Sequence, residues 1–92
     1  MSQKEFYHFY NIWKDDTKYL SYHDTKHVAY QAIIALGKPI VPLLLANLWD
    51  SWLPILALHD IMGPIPLDPE LAGRFDAISE EWYKWGEYNG YI

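Results

Sequence analysis

Glycine and proline divide this chain of 92 residues into segments of helix length. Gly37 is followed by Pro39, and Gly63 is followed by two prolines within the next three residues. Glycine readily ends a helix, whereas proline suits the first turn of a new helix and keeps the residue before it extended. No segment alternates apolar and polar residues over strand length with turn signals on both sides. We therefore expect an all-α fold, a compact bundle of four to five helices that forms a single domain over residues 1–92.

The first helix is expected to begin at a capping box, in which Ser2 and Glu5 satisfy free amide groups of the first turn. Its aromatic residues recur at i, i+3, i+4 and i+7, which is the spacing of one buried helical face. These residues are Phe6, Phe9, Tyr10 and Trp13. The helix should end near Lys14, because the polar residues after it compete for backbone hydrogen bonds. Residues 15–24 then predict an ordered loop whose apolar side chains pack on the body of the protein. These side chains are Tyr19, Leu20 and Tyr22.

The centre of the chain predicts three helices in succession. The second helix of the molecule should begin at Asp24 or Thr25, both good cap residues, and should end at Gly37. The third should cover residues 38–48, and its leucines leave so little polar surface that we expect it to be the central helix. The fourth should cover residues 52–62.

The C-terminal segment carries the most distinctive aromatic pattern. It predicts a helix from Pro69 to about Tyr88 or, if Gly73 bends the chain, a short turn followed by a helix from Arg74. A buried stripe along this segment is formed by Leu71, Phe75, Ile78, Trp82 and Trp85. A candidate interface lies off the stripe and consists of Tyr83, Tyr88, Tyr91, Glu80 and Glu87. The alternative is that these tyrosines only cover a small core with their hydroxyl groups in water.

Acidic residues concentrate in the second half of the chain. The net charge is −5; residues 1–46 hold five lysines against four acids, whereas residues 47–92 hold Lys84 and Arg74 against eight acids. This balance argues against direct binding of nucleic acid, which needs clustered cations, and it permits a basic protein partner. One alternative is an acidic face that only keeps the protein in solution. Another is an inhibitor that mimics nucleic acid through Asp68, Glu70, Asp76, Glu80, Glu81 and Glu87.

The chain carries few groups that are typical of catalysis. It has no cysteine, its glycines form no phosphate-binding loop, and its four serines are expected at helix caps or on the surface. His23 and His27 have the i, i+4 spacing of a zinc-binding pair, which also requires a third ligand and an unbroken helix across both residues. The His-Asp pairs at His23-Asp24 and His59-Asp60 are typical of metal-dependent phosphohydrolases, which are much larger proteins. We expect no cofactor, no bound metal and no enzymatic activity, with a metal-dependent enzyme through His23 and His27 as the least favoured alternative.

Two sets of motifs resemble known proteins. In the first set, one helix ends at Leu36-Gly37 and the next begins with Pro39 and Pro42 before a leucine pair. Over residues 31–62 this pattern resembles a HEAT-type helical hairpin, although one hairpin is too short for a solenoid.

The second set comprises an Ile-Ile-x-Leu-Gly-Lys motif at residues 33–38, Trp52 with an Ala-Leu-x-x-Ile-x-Gly motif at 57–63, and a Trp-x-x-Trp-Gly motif at 82–86 before Gly90-Tyr91. With this layout, residues 13–92 resemble a family of small uncharacterised bacterial proteins. The resemblance implies no established activity, and it assigns no functional residue.

These observations together predict a small non-enzymatic protein-interaction or regulatory module. Its partner is expected to be a protein of unknown identity. One form of this hypothesis is that the chain is the antitoxin-like member of a small bacterial operon. A homo-oligomer is a further option. No apolar run approaches the ~20 residues of a membrane span, and no cysteine is present for disulfides, so a cytoplasmic protein without membrane contact is expected.

Overall fold

Five α-helices account for most of the protein in a computed structural model that describes residues 2–20 and 24–92. They are α1 (Ser2–Thr17), α2 (Val28–Leu36), α3 (Val41–Ala46), α4 (Leu53–Met62) and α5 (Phe75–Tyr88), and short 3-10 turns cover Lys38–Ile40 and Pro69–Leu71. The described residues include no strand, so the all-α prediction is confirmed. α1 packs along α2, α2 packs against α4, and α3 contacts both α4 and α5. The radius of gyration is 12.7 Å, and the body measures 31 × 31 × 18 Å.

α1 buries three of the four aromatic residues of the stripe that the sequence predicts, and the fourth, Phe9, is half-buried. Its fully or nearly buried aromatic residues are Phe6, Tyr10 and Trp13. The helix continues to Thr17, about one turn beyond the expected end near Lys14. Thr17 is buried, and its hydroxyl donates to the carbonyl oxygen of Trp13 at 2.7 Å, which ties the last turn back onto the helix. The side chain of Ser2, on which the predicted capping box depends, lies outside the described residues.

The connection between α1 and α2 differs from the sequence prediction at its C-terminal end. α2 begins at Val28, and its cap is the ring of His27 rather than Asp24 or Thr25. The Asp24 carboxylate instead accepts the amide of Lys26 at 2.9 Å, so it stabilises a turn within the loop. The observed cap, His27, therefore lies three residues after Asp24, the first of the two caps that the sequence predicts.

The apolar side chains of this loop do not pack on the body as predicted. Tyr19 is 90% exposed, with the ammonium group of Lys18 5.3 Å from its ring centre, and Leu20 is exposed as well. Tyr22, the third residue of that prediction, lies outside the described residues.

Gly37 makes a sharp corner between α2 and the next helical segment. Its φ of 71° and ψ of −152° belong to a region of backbone space that is open essentially only to glycine. The segment that follows starts as a 3-10 turn and becomes α3 at Val41, ending at Ala46 rather than at the predicted residue 48. α3 is nevertheless central, because Val41, Leu44 and Leu45 are all buried.

In the part of the chain that the structure describes, no single helix has both the length and the apolarity needed to cross a membrane. Val28–Leu36 and Lys38–Ala46 meet the criterion only when taken together, across a bend of 95°.

Gly73 divides the C-terminal segment, so the second of the two sequence-based alternatives is correct. Its φ is +77°, and it separates the turn at Pro69–Leu71 from α5. α5 then buries one face against the core through Ile78, Ser79, Trp82 and Gly86. Ser79 was expected at a cap or on the surface, but it is buried, and its hydroxyl donates to the Leu48 carbonyl oxygen at 3.3 Å.

Candidate functional site

Four exposed side chains of α5 lie on one side of the helix. Asp76, Glu80, Tyr83 and Glu87 are spaced i, i+4, i+7 and i+11, so they lie within about 60° of one another around the helix axis. Glu80 also contacts Lys84, whose Nζ lies 3.7 Å from its Oε1. An exposed pair of this kind contributes little energy, so it leaves the carboxylate available to another cation.

Trp49 brings a second aromatic ring to these residues. Its ring centre lies 5.8 Å from that of Tyr83, and 50% of Trp49 and 39% of Tyr83 are exposed. Exposed Trp and Tyr are enriched at binding hot spots, because they offer a large apolar area with few rotatable bonds. We call this surface the acidic-aromatic face. It consists of Trp49, Asp76, Glu80, Tyr83 and Glu87.

The turn that carries Trp49 is fixed to α1 at both of its ends. On one side, the side-chain amide of Asn47 donates to the hydroxyl of Tyr7 at 3.0 Å. On the other side, Oδ2 of Asp50 accepts the hydroxyl of Tyr10 at 2.7 Å. Because the turn is held in this way, the Trp49 ring is positioned beside α5 before any partner binds, which lowers the entropic cost of binding.

The contacts of Asp50 also determine the charges around this turn. Hydrogen bonds from Tyr10 and from Lys14, whose Nζ lies 2.9 Å from Oδ2, hold the pKa of Asp50 below its ordinary value. Burial raises the pKa of the Tyr10 phenol, and its hydrogen bond with Ser51 at 2.6 Å acts in the opposite direction. At neutral pH the phenol therefore stays protonated and donates to an ionised carboxylate, which is a strong form of hydrogen bond.

The structure separates the other predicted interface tyrosines from the acidic-aromatic face. Tyr88 is 90% exposed but follows Tyr83 by five residues, which places it about 140° away around α5. Tyr91 is half-buried, because its ring stacks on Trp85 with 5.3 Å between ring centres. The predicted residues Glu80, Tyr83 and Glu87 thus lie together, whereas Tyr88 and Tyr91 do not join them.

A Schellman motif turns the tail back onto the helix. Gly90 has a φ of +79°, its amide donates to the Glu87 carbonyl oxygen, and the Tyr91 amide donates to that of Gly86 at 2.9 Å. The contact between Tyr91 and Trp85 is the apolar contact that often accompanies this motif. Tyr91 therefore contributes to the packing of the C-terminal end.

The helical period separates Glu81, one of the six carboxylates of the proposed nucleic-acid mimic, from those that lie on the acidic-aromatic face. Asp76, Glu80 and Glu87 belong to the acidic-aromatic face, whereas Glu81 is half-buried on the other flank of α5. The side chain of Asp68 accepts the amide of Glu70 at 3.0 Å and caps the 3-10 turn before α5.

The ring of His27 has partners on both of its nitrogens. Nδ1 accepts the Ala29 amide at 3.0 Å, and Nε2 lies 2.9 Å from Oδ2 of Asp16. A metal would have to displace one of these contacts, and α2 begins only after His27, so no helix that reaches back to His23 is available. His23 itself lies outside the described residues. Among the residues that are described, no group of three His, Asp or Glu side chains is arranged to hold a metal ion.

The second His-Asp pair lies on the exposed side of α4. His59 and Asp60 are both exposed, and Asp60 accepts the hydroxyl of the buried Tyr30 at 2.5 Å. The bond ties α4 to α2, and the burial of Tyr30 together with this bond raises the pKa of its phenol.

A shallow apolar groove lies between α4 and α5. It has a volume of about 180 Å³, and its lining includes Ile55, Ile65 and Trp82. Apart from the indole of Trp82, the only polar side chain in the lining is that of His59. Pockets for small molecules and cofactors usually measure ~300–1,000 Å³ and collect several converging polar groups. The groove is thus smaller and less polar than sites of that class.

Comparisons with protein-family models, with curated proteins and with solved structures found no match to this chain. The candidate surface therefore rests on the geometry of the chain itself. Sequence reasoning missed Trp49, because the Trp49-Asp50-Ser51 segment indicates only a break between helices. The one available signal was a large aromatic residue between polar residues, outside any helical stripe.

Proposed function

We propose that the protein is a non-enzymatic interaction module that binds a basic protein partner through its acidic-aromatic face. The observation that supports this proposal most directly is the exposed pair of Trp49 and Tyr83 beside three aligned carboxylates. Aromatic rings next to carboxylates suit arginine, whose guanidinium stacks on a ring and bonds a carboxylate through two N–H groups.

The charge of the C-terminal half supports the same choice of partner. Residues 47–92 hold eight acids against two cations, so the field around this face attracts a basic protein and repels an acidic one. The two aromatic rings add the apolar contact that an exposed cluster of charges lacks. An antitoxin-like role beside the product of a neighbouring gene, in the cytoplasm, is the form of this function that we favour.

Affinity capture with matched variants tests the proposal. The tagged protein is used to capture proteins from the native cell, and the product of the neighbouring gene is examined first. Tyr83→Ala should remove the specific partner, whereas Tyr88→Ala, which truncates a more exposed tyrosine on another flank, should retain it. Circular dichroism of each purified variant establishes that both variants are folded.

Adjacent glutamates provide a second matched pair. Glu80→Gln lies on the acidic-aromatic face and should weaken capture, whereas Glu81→Gln removes the same charge on the other flank and should have little effect. Equal losses from both variants would indicate that only the net charge matters, as for an acidic mimic of nucleic acid. Equal losses from Tyr83→Ala and Tyr88→Ala, or capture of a second copy of this chain alone, would contradict a basic partner at this face.

A further inference from the structure

His27 connects the end of α1 to the start of α2 through a single imidazole ring. Its Nδ1 accepts the amide of Ala29 at 3.0 Å and so caps α2, while its Nε2 lies 2.9 Å from Oδ2 of Asp16 on α1. Because the Ala29 amide is a donor and the Asp16 carboxylate is an acceptor, the ring must carry its proton on Nε2 and a lone pair on Nδ1. The geometry thus requires neutral imidazole in one tautomer.

We propose that His27 is a proton-sensitive latch that holds the first turn of α2 only while the ring is neutral. Protonation places a hydrogen on Nδ1, so two N–H groups then face each other where the cap was. A flip of the ring cannot restore the cap, since both nitrogens are donors in the imidazolium form. The amide of Ala29 loses its acceptor and the turn opens.

The charges around the ring do not reverse this effect. Asp16 is the charged group that faces His27 from α1, and it already accepts a hydrogen bond from the neutral ring. Its side chain is 53% exposed, so the added attraction to an imidazolium is small. A positive charge at the start of a helix is also unfavourable, because the helix dipole is positive there. In the described part of the loop, residues 18–20 and 24–27, the other charged groups are Lys18, Asp24 and Lys26; Lys18 pairs with Asp15, and the Asp24 carboxylate accepts the Lys26 amide.

Opening of the latch is expected to stay local. Val28 is 81% exposed, but Ala29 and Tyr30 in the same turn are buried, and Tyr30 keeps its bond to Asp60 on α4, so core packing holds these side chains when the cap is lost. The indole of Trp13 also still donates to the carbonyl oxygen of Asp24 at 2.8 Å. The proton therefore loosens the junction of α1 and α2 without releasing the core.

Nuclear magnetic resonance of the whole chain tests the latch residue by residue. The ¹⁵N shifts of the His27 ring report its tautomer and its protonation, and hydrogen exchange reports the protection of the Ala29 amide relative to its intrinsic rate. We expect the Nε2–H tautomer at neutral pH and a loss of Ala29 protection of about fivefold once the ring signals show protonation, as for removal of a side-chain cap. His27→Asn keeps an uncharged cap acceptor and should abolish this pH response.

Asp16→Asn separates the cap from the ion pair. It leaves the bond to Ala29 in place but removes the attraction that opposes opening, so the loss of protection on protonation should be at least as large as in the wild type. The Nδ1–H tautomer at neutral pH, unchanged Ala29 protection on protonation, or a persistent response in His27→Asn would each overturn the latch.

Discussion

Gly86 allows α5 to approach α3 so closely that a single added methyl group should destabilise the protein. A Cβ at this position would lie 2.5 Å from Cδ1 of Leu45 and 3.3 Å from Cγ1 of Ile92. Carbon atoms attract each other best at ~3.5–4.0 Å. Leu45 is 1% exposed, so its side chain cannot swing into solvent to make room.

Two opposing effects determine the result of Gly86→Ala. Alanine inside a helix is ordinarily more stable than glycine by about 1 kcal/mol. Overpacking of a core costs about 1–3 kcal/mol, which exceeds this gain. We expect net destabilisation of about 1 kcal/mol, measured by urea unfolding, and a fall in Tm of about 4–8 °C for a domain of this size.

A double-mutant cycle with Leu45→Val tests the cause. Valine lacks both Cδ atoms, so Gly86→Ala should be neutral or stabilising in that background, with a coupling of about 1–3 kcal/mol between the two sites. If Gly86→Ala raises Tm in the wild type, or has the same effect in both backgrounds, the proposed close contact between α5 and α3 is refuted.

Three other variants test separate parts of the structure. Gly37→Val should destabilise by about 1–3 kcal/mol in urea unfolding, because its φ of 71° strains a β-branched residue although the space is open; an unchanged midpoint would contradict the strained corner. Trp82→Ala should cost about 3–5 kcal/mol, since the residue is 2% exposed, whereas Tyr88→Ala should hardly change the Tm; similar losses would contradict the assigned helical phase. Folding raises the pKa of the Tyr30 phenol, so this group stabilises the folded state fully below pH ~10 and loses that stabilisation as the pH rises further. Tyr30→Phe should therefore flatten the fall in Tm at alkaline pH. A fall as steep as that of the wild type would contradict the assignment.

Helix boundaries that depend on local chemistry could be predicted from the sequence. Gly37 and Gly63 end helices, and both have positive φ. Gly73 likewise indicates the break that divides the C-terminal segment. These signals act within a few residues, so no knowledge of the rest of the fold is needed. The burial of Ile78 and Trp82 was predictable for the same reason, since both follow the helical period, whereas Leu71, Phe75 and Trp85 of the predicted stripe are only half-buried.

Boundaries that depend on contacts between helices could not be predicted in this way. α1 extends to Thr17 because that side chain is buried, and α2 begins late because His27 is held between Asp16 and the Ala29 amide. Asp24 looks like the better cap from intrinsic preference alone.

Only part of the candidate surface could be predicted from the sequence. The helical period places Glu80, Tyr83 and Glu87 on one side of α5, but the neighbouring Trp49 comes from a turn that is distant in sequence. The stacking of Tyr91 likewise depends on the left-handed turn at Gly90, which the sequence permits but does not require.

The most direct test of the acidic-aromatic face is photo-cross-linking in the native cell at two tyrosine positions. A photoreactive residue, p-benzoylphenylalanine, replaces Tyr83 in one variant and Tyr88 in a matched control. We predict a specific cross-link to a basic protein from position 83 and none to that protein from position 88. When the same cross-linking is repeated in lysate, its yield from position 83 should fall as salt is added. Equal cross-linking from both positions, or cross-links from position 83 only to acidic proteins, would contradict the account.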